Sequence, residues 1–149
     1  MAVIYLADTN VLLRVVHRAD PRHDLARAAL RSLQAEGHKV QASEQNFIEF
    51  WNVTTRPRAQ NGFGVEPTEA KRFLNLVERI FPRLPCSTEI YPKWCRLVTT
   101  FAVSGVQVHD AHLVATMLAN DITHILTLNP KDFRRYDSEG IVAVDPVDL

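Results

Sequence analysis

Short apolar runs alternate with longer amphipathic stretches along the whole chain, and that alternation leaves few folds open. Val3–Ala7 is continuously apolar, the pattern of a strand buried on both faces. It ends at Asp8-Thr9-Asn10, and Val11–Val16 then reads as a short helix. After a loop at Asp20-Pro21-Arg22-His23, residues Ala26, Ala29, Leu30 and Leu33 recur at helical spacing, so Asp24–Glu36 is an amphipathic helix that Gly37 stops. Val40–Ser43 reads as a second strand and Glu44–Thr54 as a helix. Arg56–Val65 holds Pro57, Gly62 and Gly64 and reads as a loop. Phe73, Leu74, Val77, Ile80 and Phe81 mark the next helix, with Pro67 near its start. Leu84–Cys86 is a candidate minimal strand. Trp94, Leu97, Val98 and Phe101 mark another helix, closed by Ser104-Gly105. His109–Asn120 is helical, and His124–Leu128 and Ile141–Val144 read as strands. Strands alternating with helices predict an α/β fold with a mainly parallel central sheet covered on both faces. In such folds ligands sit at the carboxyl ends of the strands.

The chain has 149 residues and no repeat, low-complexity tract or linker, which predicts one domain over residues 1–149. Two cysteines, Cys86 and Cys95, are too few for a disulfide framework and form no CxxC pair for zinc. Seventeen basic residues balance seventeen acidic ones. A net charge of zero argues against a protein that coats nucleic acid electrostatically. It leaves open an enzyme that touches a few phosphates and clusters its acids. No apolar run is long enough to span a bilayer, and Asp8 interrupts the N-terminal apolar run too early for a signal peptide. A cytoplasmic location is expected.

The acids are placed suggestively. Asp8 follows the first strand, Glu49 lies one turn into the helix after the second, Asp110 opens a helix, and Asp132 lies just beyond the third strand. Together they could meet at one edge of the sheet. Hard divalent cations take oxygen ligands, and Mg²⁺ is commonly held by one or two carboxylates with water and phosphate oxygens. Such an ion can activate water and neutralise charge developing on a phosphate. Each acid also has a plainer role open to it. Asp8 and Asp110 are both suited to capping the helices they precede. Asn129-Pro130-Lys131-Asp132 fits a variant capping box. Glu49 is harder to explain away, because Phe47, Ile48, Phe50 and Trp51 surround it in sequence. Gln45 and Asn46, at i−4 and i−3, are polar groups able to orient it. Clustered carboxylates repel one another, so without metal at least one should have a raised pKa.

Five blocks carry a resemblance: Leu6-Ala7-Asp8-Thr9-Asn10-Val11-Leu12-Leu13-Arg14, Ser43-Glu44-Gln45-Asn46-Phe47-Ile48-Glu49-Phe50, Thr54-Thr55-Arg56-Pro57, Val108-His109-Asp110-Ala111-His112-Leu113-Val114-Ala115 and Leu126-Thr127-Leu128-Asn129-Pro130-Lys131-Asp132-Phe133. In this order and spacing the chain resembles the PIN-domain family, and within it the VapC-type toxins of bacterial toxin–antitoxin pairs. The resemblance implies a three-layer α/β/α sandwich and a Mg²⁺- or Mn²⁺-dependent endoribonuclease that leaves 5′-phosphate and 3′-hydroxyl ends. It carries the family's acids onto Asp8, Glu49 and Asp110. For the fourth corner, many relatives have an acid where this chain has Asn129, while others place it before the Phe, here Asp132; Asp132 is favoured because Asn129 carries no charge. His112 stands where relatives often have Arg.

Thr9 and Asn10 match the family's polar helpers, which orient a metal-bound water or the first acid. Thr127 reads first as an ordinary strand threonine, with the same orienting role as the alternative. Arg14, Arg56 and Lys131 lie in the matched blocks and are candidate phosphate contacts. The implied partners are an RNA substrate, a VapB-type antitoxin whose tail blocks the acidic site, and a second copy of the chain in a homodimer. Two rivals stand beside this reading. One is a catalytically impaired PIN-like module that binds RNA or serves as a scaffold, favoured by the change at Asn129. The other is a haloacid-dehalogenase-like phosphatase, which needs a second Asp two residues after the first, where this chain has Asn10.

Overall fold

The first strand, β1 (Ile4–Ala7), lies inside the sheet and divides its side chains between two cores. A computed structural model describes residues 1–149. β1 pairs in parallel with β2 (Lys39–Gln41) on one side and β3 (His124–Leu126) on the other, and β4 (Val142–Val144) extends the sheet beyond β3. The order is β2-β1-β3-β4, all parallel. Because successive strand residues point to opposite faces, Tyr5 and Ala7 enter one core while Leu6 enters the other. β3 divides likewise, with Leu126 in the first core and Ile125 in the second.

Helices α1 (Thr9–Val16), α2 (His23–Ala35), α3 (Glu44–Thr55) and α4 (Pro67–Ile80) form the layer over the first core. Helices α5 (Ile90–Thr100) and α6 (Val108–Ala119), with the 3₁₀ segment Pro130–Glu139, form the other. The expected three-layer α/β/α sandwich is therefore the observed architecture. α1 is apolar almost all round and is correspondingly buried: Val11, Leu12, Leu13, Val15 and Val16 all lie in the core. α2 stops where expected. Gly37 takes φ +85°, and the amide of His38 returns to the carbonyl of Leu33 at 3.0 Å, closing the last turn. No helix is long and apolar enough to cross a membrane.

Three expected strands differ: one is absent and two end early, the second strand at Gln41 rather than Ser43. Leu84–Cys86 forms none; the segment touches the sheet through a single parallel bridge, Ala42 to Arg83. Pro82 precedes it and Pro85 lies within it, and neither can donate to a ladder. β3 ends at Leu126 rather than Leu128, because the Leu128 amide leaves the ladder and donates to Asn10 Oδ1 at 3.2 Å. That departure brings the chain after β3 up against the start of α1.

His17, just past α1, is buried, stacked on Phe63 at 3.8 Å between ring centroids, and hydrogen-bonded to Thr54 Oγ1. Desolvation lowers its pKa to about 4. Leu12 has no exposed surface at the centre of the first core. Leu12→Ala should lower the unfolding free energy by about 2–5 kcal/mol, read by urea denaturation with an unchanged m-value.

Candidate active site

Asp8 is held from three directions. Its backbone amide donates to the Leu126 carbonyl at 2.9 Å, which ties the end of β1 to β3. Its carboxyl caps α1, with Oδ1 accepting from the Thr9 amide at 2.8 Å. Oδ2 accepts from Thr127 Oγ1 at 2.8 Å and from Asn10 Nδ2 at 3.4 Å. The capping role and a role in a site therefore coexist. Thr127 is no ordinary strand threonine: it is fully buried, its hydroxyl faces Asp8, and it also accepts from the Asn129 amide at 3.1 Å. Asn10 spends its side chain on Asp8, Thr127 and the Leu128 amide. It supplies no acid, so the phosphatase reading loses its proton donor.

Glu49 projects from α3 toward the same place. Its Oε2 accepts from Thr9 Oγ1 at 2.8 Å and its Oε1 from Gln45 Nε2 at 2.8 Å. The two polar neighbours expected to orient Glu49 divide the work. Gln45 binds it directly. Asn46 acts through Thr9, its Nδ2 donating to Thr9 Oγ1 at 3.1 Å while its Oδ1 closes a capping box with Ser43. Asn46 is fully buried, so this relay is rigid. Gln45 is itself held from α6, where it donates to the His109 carbonyl at 2.9 Å and pairs with His112 Nδ1. That contact gives His112 a place that its sequence position did not reveal. Desolvation lowers the pKa of His112.

Asp110 and Asp132 close the cluster. Asp110 lies in the first turn of α6, not at its cap, and it is half-buried. Asp132 is exposed in the first turn of the 3₁₀ segment. The capping box expected over Asn129–Asp132 does not form, since Asn129 makes no side-chain cap bond. Asn129 is exposed and contributes through its backbone amide to Thr127.

The acids feel one another. Desolvation first, then the charges of Glu49 and Asp132, raise the Asp8 pKa to about 6 against the hydrogen bonds from Thr127 and Thr9. Desolvation, then Asp8, Asp132 and Glu49, raise Asp110 to about 7 against the opposing charge of Arg135. The expected raised pKa is thus present at two acids. No protein cation stands within ion-pair distance of any of the four; the ion pairs of this chain lie elsewhere. The carboxyl groups stay apart, and no three His, Cys, Asp or Glu side chains stand close enough together to hold a metal ion as they are placed. Hard oxygen donors and mutual repulsion, with no ion pair to any of the four, fit a divalent cation whose remaining positions are filled by water.

The basic candidates lie outside this cluster. Arg14 pairs with Asp20 and donates to the Asn10 carbonyl. Arg56 donates to the Asn61 carbonyl. Both line a separate concavity beside α1. Lys131 is exposed next to Asp132. A mainly apolar concavity of about 390 Å³ between α3 and α4 is lined by Phe47, Ile48, Trp51 and Leu74 and does not include the four acids.

The model of the PIN domain matches residues 5–139 of this chain. No curated protein matches it in sequence. Among solved structures, it is similar to VapBC2 from Rickettsia felis, bound to a DNA fragment from its promoter, with TM-score 0.72 and 14% identity, covering 96% of this chain and 98% of that one. It is similar to FitAcB from Neisseria gonorrhoeae, with TM-score 0.71 and 19% identity over 100% of both chains. It is also similar to VapC20 from Mycobacterium tuberculosis, described as a sarcin–ricin loop cleaving toxin, with TM-score 0.56 and 19% identity, covering 95% of this chain and 98% of that one. At these identities the likeness establishes the fold.

A raised carboxyl pKa means that the folded chain keeps protons the unfolded chain has lost. The stability that Asp8 and Asp110 contribute is full below their ordinary value of 3.8 and is lost as pH rises through about 6 and about 7. His17 acts in the opposite sense: its contribution is full above 6.5 and is lost as pH falls through about 4. Of these three groups, Asp110 dominates the change above pH 6.5. In EDTA the melting temperature should therefore fall between pH 6.5 and about 8. Asp110→Asn should flatten that fall, and Mn²⁺ should raise the melting temperature most at the alkaline end, where the ligands are deprotonated.

Proposed function

The chain belongs to the PIN-domain family, and from its site we propose that it is a metal-dependent endoribonuclease that serves as the toxin of a toxin–antitoxin pair. The observation that carries this reading is the electrostatic coupling of Asp8, Glu49, Asp110 and Asp132, brought from separate elements to the carboxyl ends of β1 and β3 with no ion pair to any of them. These four side chains would hold Mg²⁺ or Mn²⁺, which when bound supplies Lewis acidity to a phosphate oxygen and acidifies a water. The chain's own groups do the rest. Thr127 and the Thr9 amide fix both oxygens of Asp8. Thr9 Oγ1 and Gln45 fix both oxygens of Glu49. Every one of these donors satisfies a charged oxygen, so the ionised form is oriented before any ligand arrives.

RNA as substrate rests on the family resemblance and on the neighbour described as cleaving the sarcin–ricin loop. An antitoxin partner rests on the neighbours solved as VapBC and FitAB complexes. The exposed apolar concavity around Ile48 and Trp51 is a surface such a partner would cover. A homodimer and a cytoplasmic location belong to the same proposal. A non-catalytic RNA-binding or scaffold module keeps the fold but loses the chemistry, and the same assay separates it.

Purified chain incubated with labelled RNA should cleave it with Mn²⁺ or Mg²⁺ and not with EDTA. Asp8→Asn and Asp110→Asn should each lower the rate by at least about a hundredfold, and Thr9→Val by about ten- to a hundredfold through Glu49. Cleavage that survives EDTA or Asp8→Asn contradicts the reading. Intact RNA under every condition, with no Mn²⁺ bound in calorimetry, favours the non-catalytic module.

A further inference from the structure

We infer that an arginine-lined pocket less than two helical turns from the acids binds the phosphate backbone of single-stranded RNA on its way out of the site. The inference rests on the ribonuclease reading of the acidic cluster. The pocket, about 550 Å³, lies between the end of α1 and the loop after α3. Arg14, Arg56 and Arg58 line it, against one acid, Asp20. In a chain of zero net charge this is a local surplus of two positive charges.

The pocket is built rather than incidental. The loop that carries Arg56 and Arg58 folds back on α3 through backbone bonds from Gly64 to Arg56 at 2.8 Å, Phe63 to Val53 at 3.0 Å and Val65 to Thr54 at 2.9 Å. Gly62 passes so close to Arg56 that a Cβ would lie 1.9 Å from the Arg56 carbonyl oxygen, so no other residue fits there. The loop therefore holds its arginines at fixed positions opposite α1.

Their hydrogen-bonding capacity is largely unspent. A guanidinium has five N–H donors. Arg14 donates one to the Asn10 carbonyl, and its Nε lies 3.4 Å from Asp20 Oδ2 without hydrogen-bond geometry. Arg56 donates one to the Asn61 carbonyl, and its Nε is buried without a partner. Arg58 makes no side-chain hydrogen bond or ion pair. Forked donors of this kind match phosphate oxygens two at a time. Leu13, Val53 and Phe63 give the pocket an apolar wall. Arginines beside an apolar wall suit a nucleotide, whose phosphate takes the charge and whose base takes the wall.

Placement supplies the direction. Arg14 stands four residues after Asn10, on the same face of α1. It touches the Asn10 carbonyl, and the Asn10 side chain touches Asp8. From Asp8 to Arg14 the helix rises about 9 Å. A strand with one phosphate at the acids would thus meet the arginines with a neighbouring phosphate. Beyond the pocket, Arg18, Arg27 and Arg31 line the next concavity, starting one residue from its rim at Ala19.

The test measures binding of a short fluorescein-labelled oligouridylate by anisotropy in EDTA, across a salt series, to the full chain. Arg58→Gln, Arg56→Gln/Arg58→Gln and, as a control outside the pocket, Arg72→Gln are compared with wild type. Arg58 has no structural bond to lose, so its variant keeps the test sound if the double variant is unstable. The salt slope should shrink by about 0.7 for each phosphate contact removed, affinity at low salt should fall several-fold, and Arg72→Gln should change neither. In Mn²⁺ the pocket variants should raise KM with kcat nearly unchanged. If wild type cleaves RNA but slope and KM are the same in the pocket variants, the pocket inference is overturned and the nuclease reading stands. If slopes shrink while wild type cleaves nothing, the RNA contact stands and the nuclease reading falls. If oligouridylate binding is unchanged but a poly-glutamate peptide binds more weakly, the pocket takes an acidic protein segment and the RNA inference is wrong.

Discussion

Everything at the site depends on β1 lying between β2 and β3 in parallel register. Parallel strands share a direction, so their carboxyl ends open on one edge. Asp8 leaves β1 there, tied to β3 by its amide bond to Leu126. The chain after β2 turns at Ser43 into α3 and carries Glu49 back over that edge. The chain after β3 brings Thr127, Asn129 and Asp132. A one-residue slip of β1 would send Asp8 and its neighbours to the opposite faces of the sheet. The division of Tyr5 and Ala7 from Leu6 between two cores opposes such a slip.

The same edge concentrates charge that no ion pair of the protein neutralises. Asp8 gains three donors, from Thr9, Asn10 and Thr127, yet its pKa still rises, because desolvation outweighs hydrogen bonding. Asp110 receives none and rises further. Holding such groups apart without a counter-ion destabilises the fold above neutral pH, which a chain built only for stability would avoid.

Much of this was legible in the sequence, because much of it is local. Apolar runs and helical spacing reveal the strands, the helices and the places where acids follow strand ends. Asp8 stands out at a strand end, Glu49 among apolar neighbours and Asp110 at a helix start. What was hidden depends on contacts across long stretches of chain. Thr127 looks like a strand threonine until its hydroxyl meets Asp8, 119 residues away. His112 looks like a departure from the family until it meets Gln45, 67 residues away. Arg58 lies in a segment that reads only as a loop, and its position depends on the close passage of Gly62 by Arg56. Leu84–Cys86 was overread because its apolar pattern conceals the two prolines' missing donors.

The central claim is that these carboxylates are arranged to share a divalent cation. Crystals grown with Mn²⁺ and measured at a wavelength where manganese scatters anomalously test it most directly. The account predicts an anomalous peak at the sheet edge, within about 2.0–2.6 Å of oxygens from Asp8 and Asp110 and bordered by Glu49 and Asp132. A peak elsewhere, or none at the edge with the four carboxylates still apart, would contradict it.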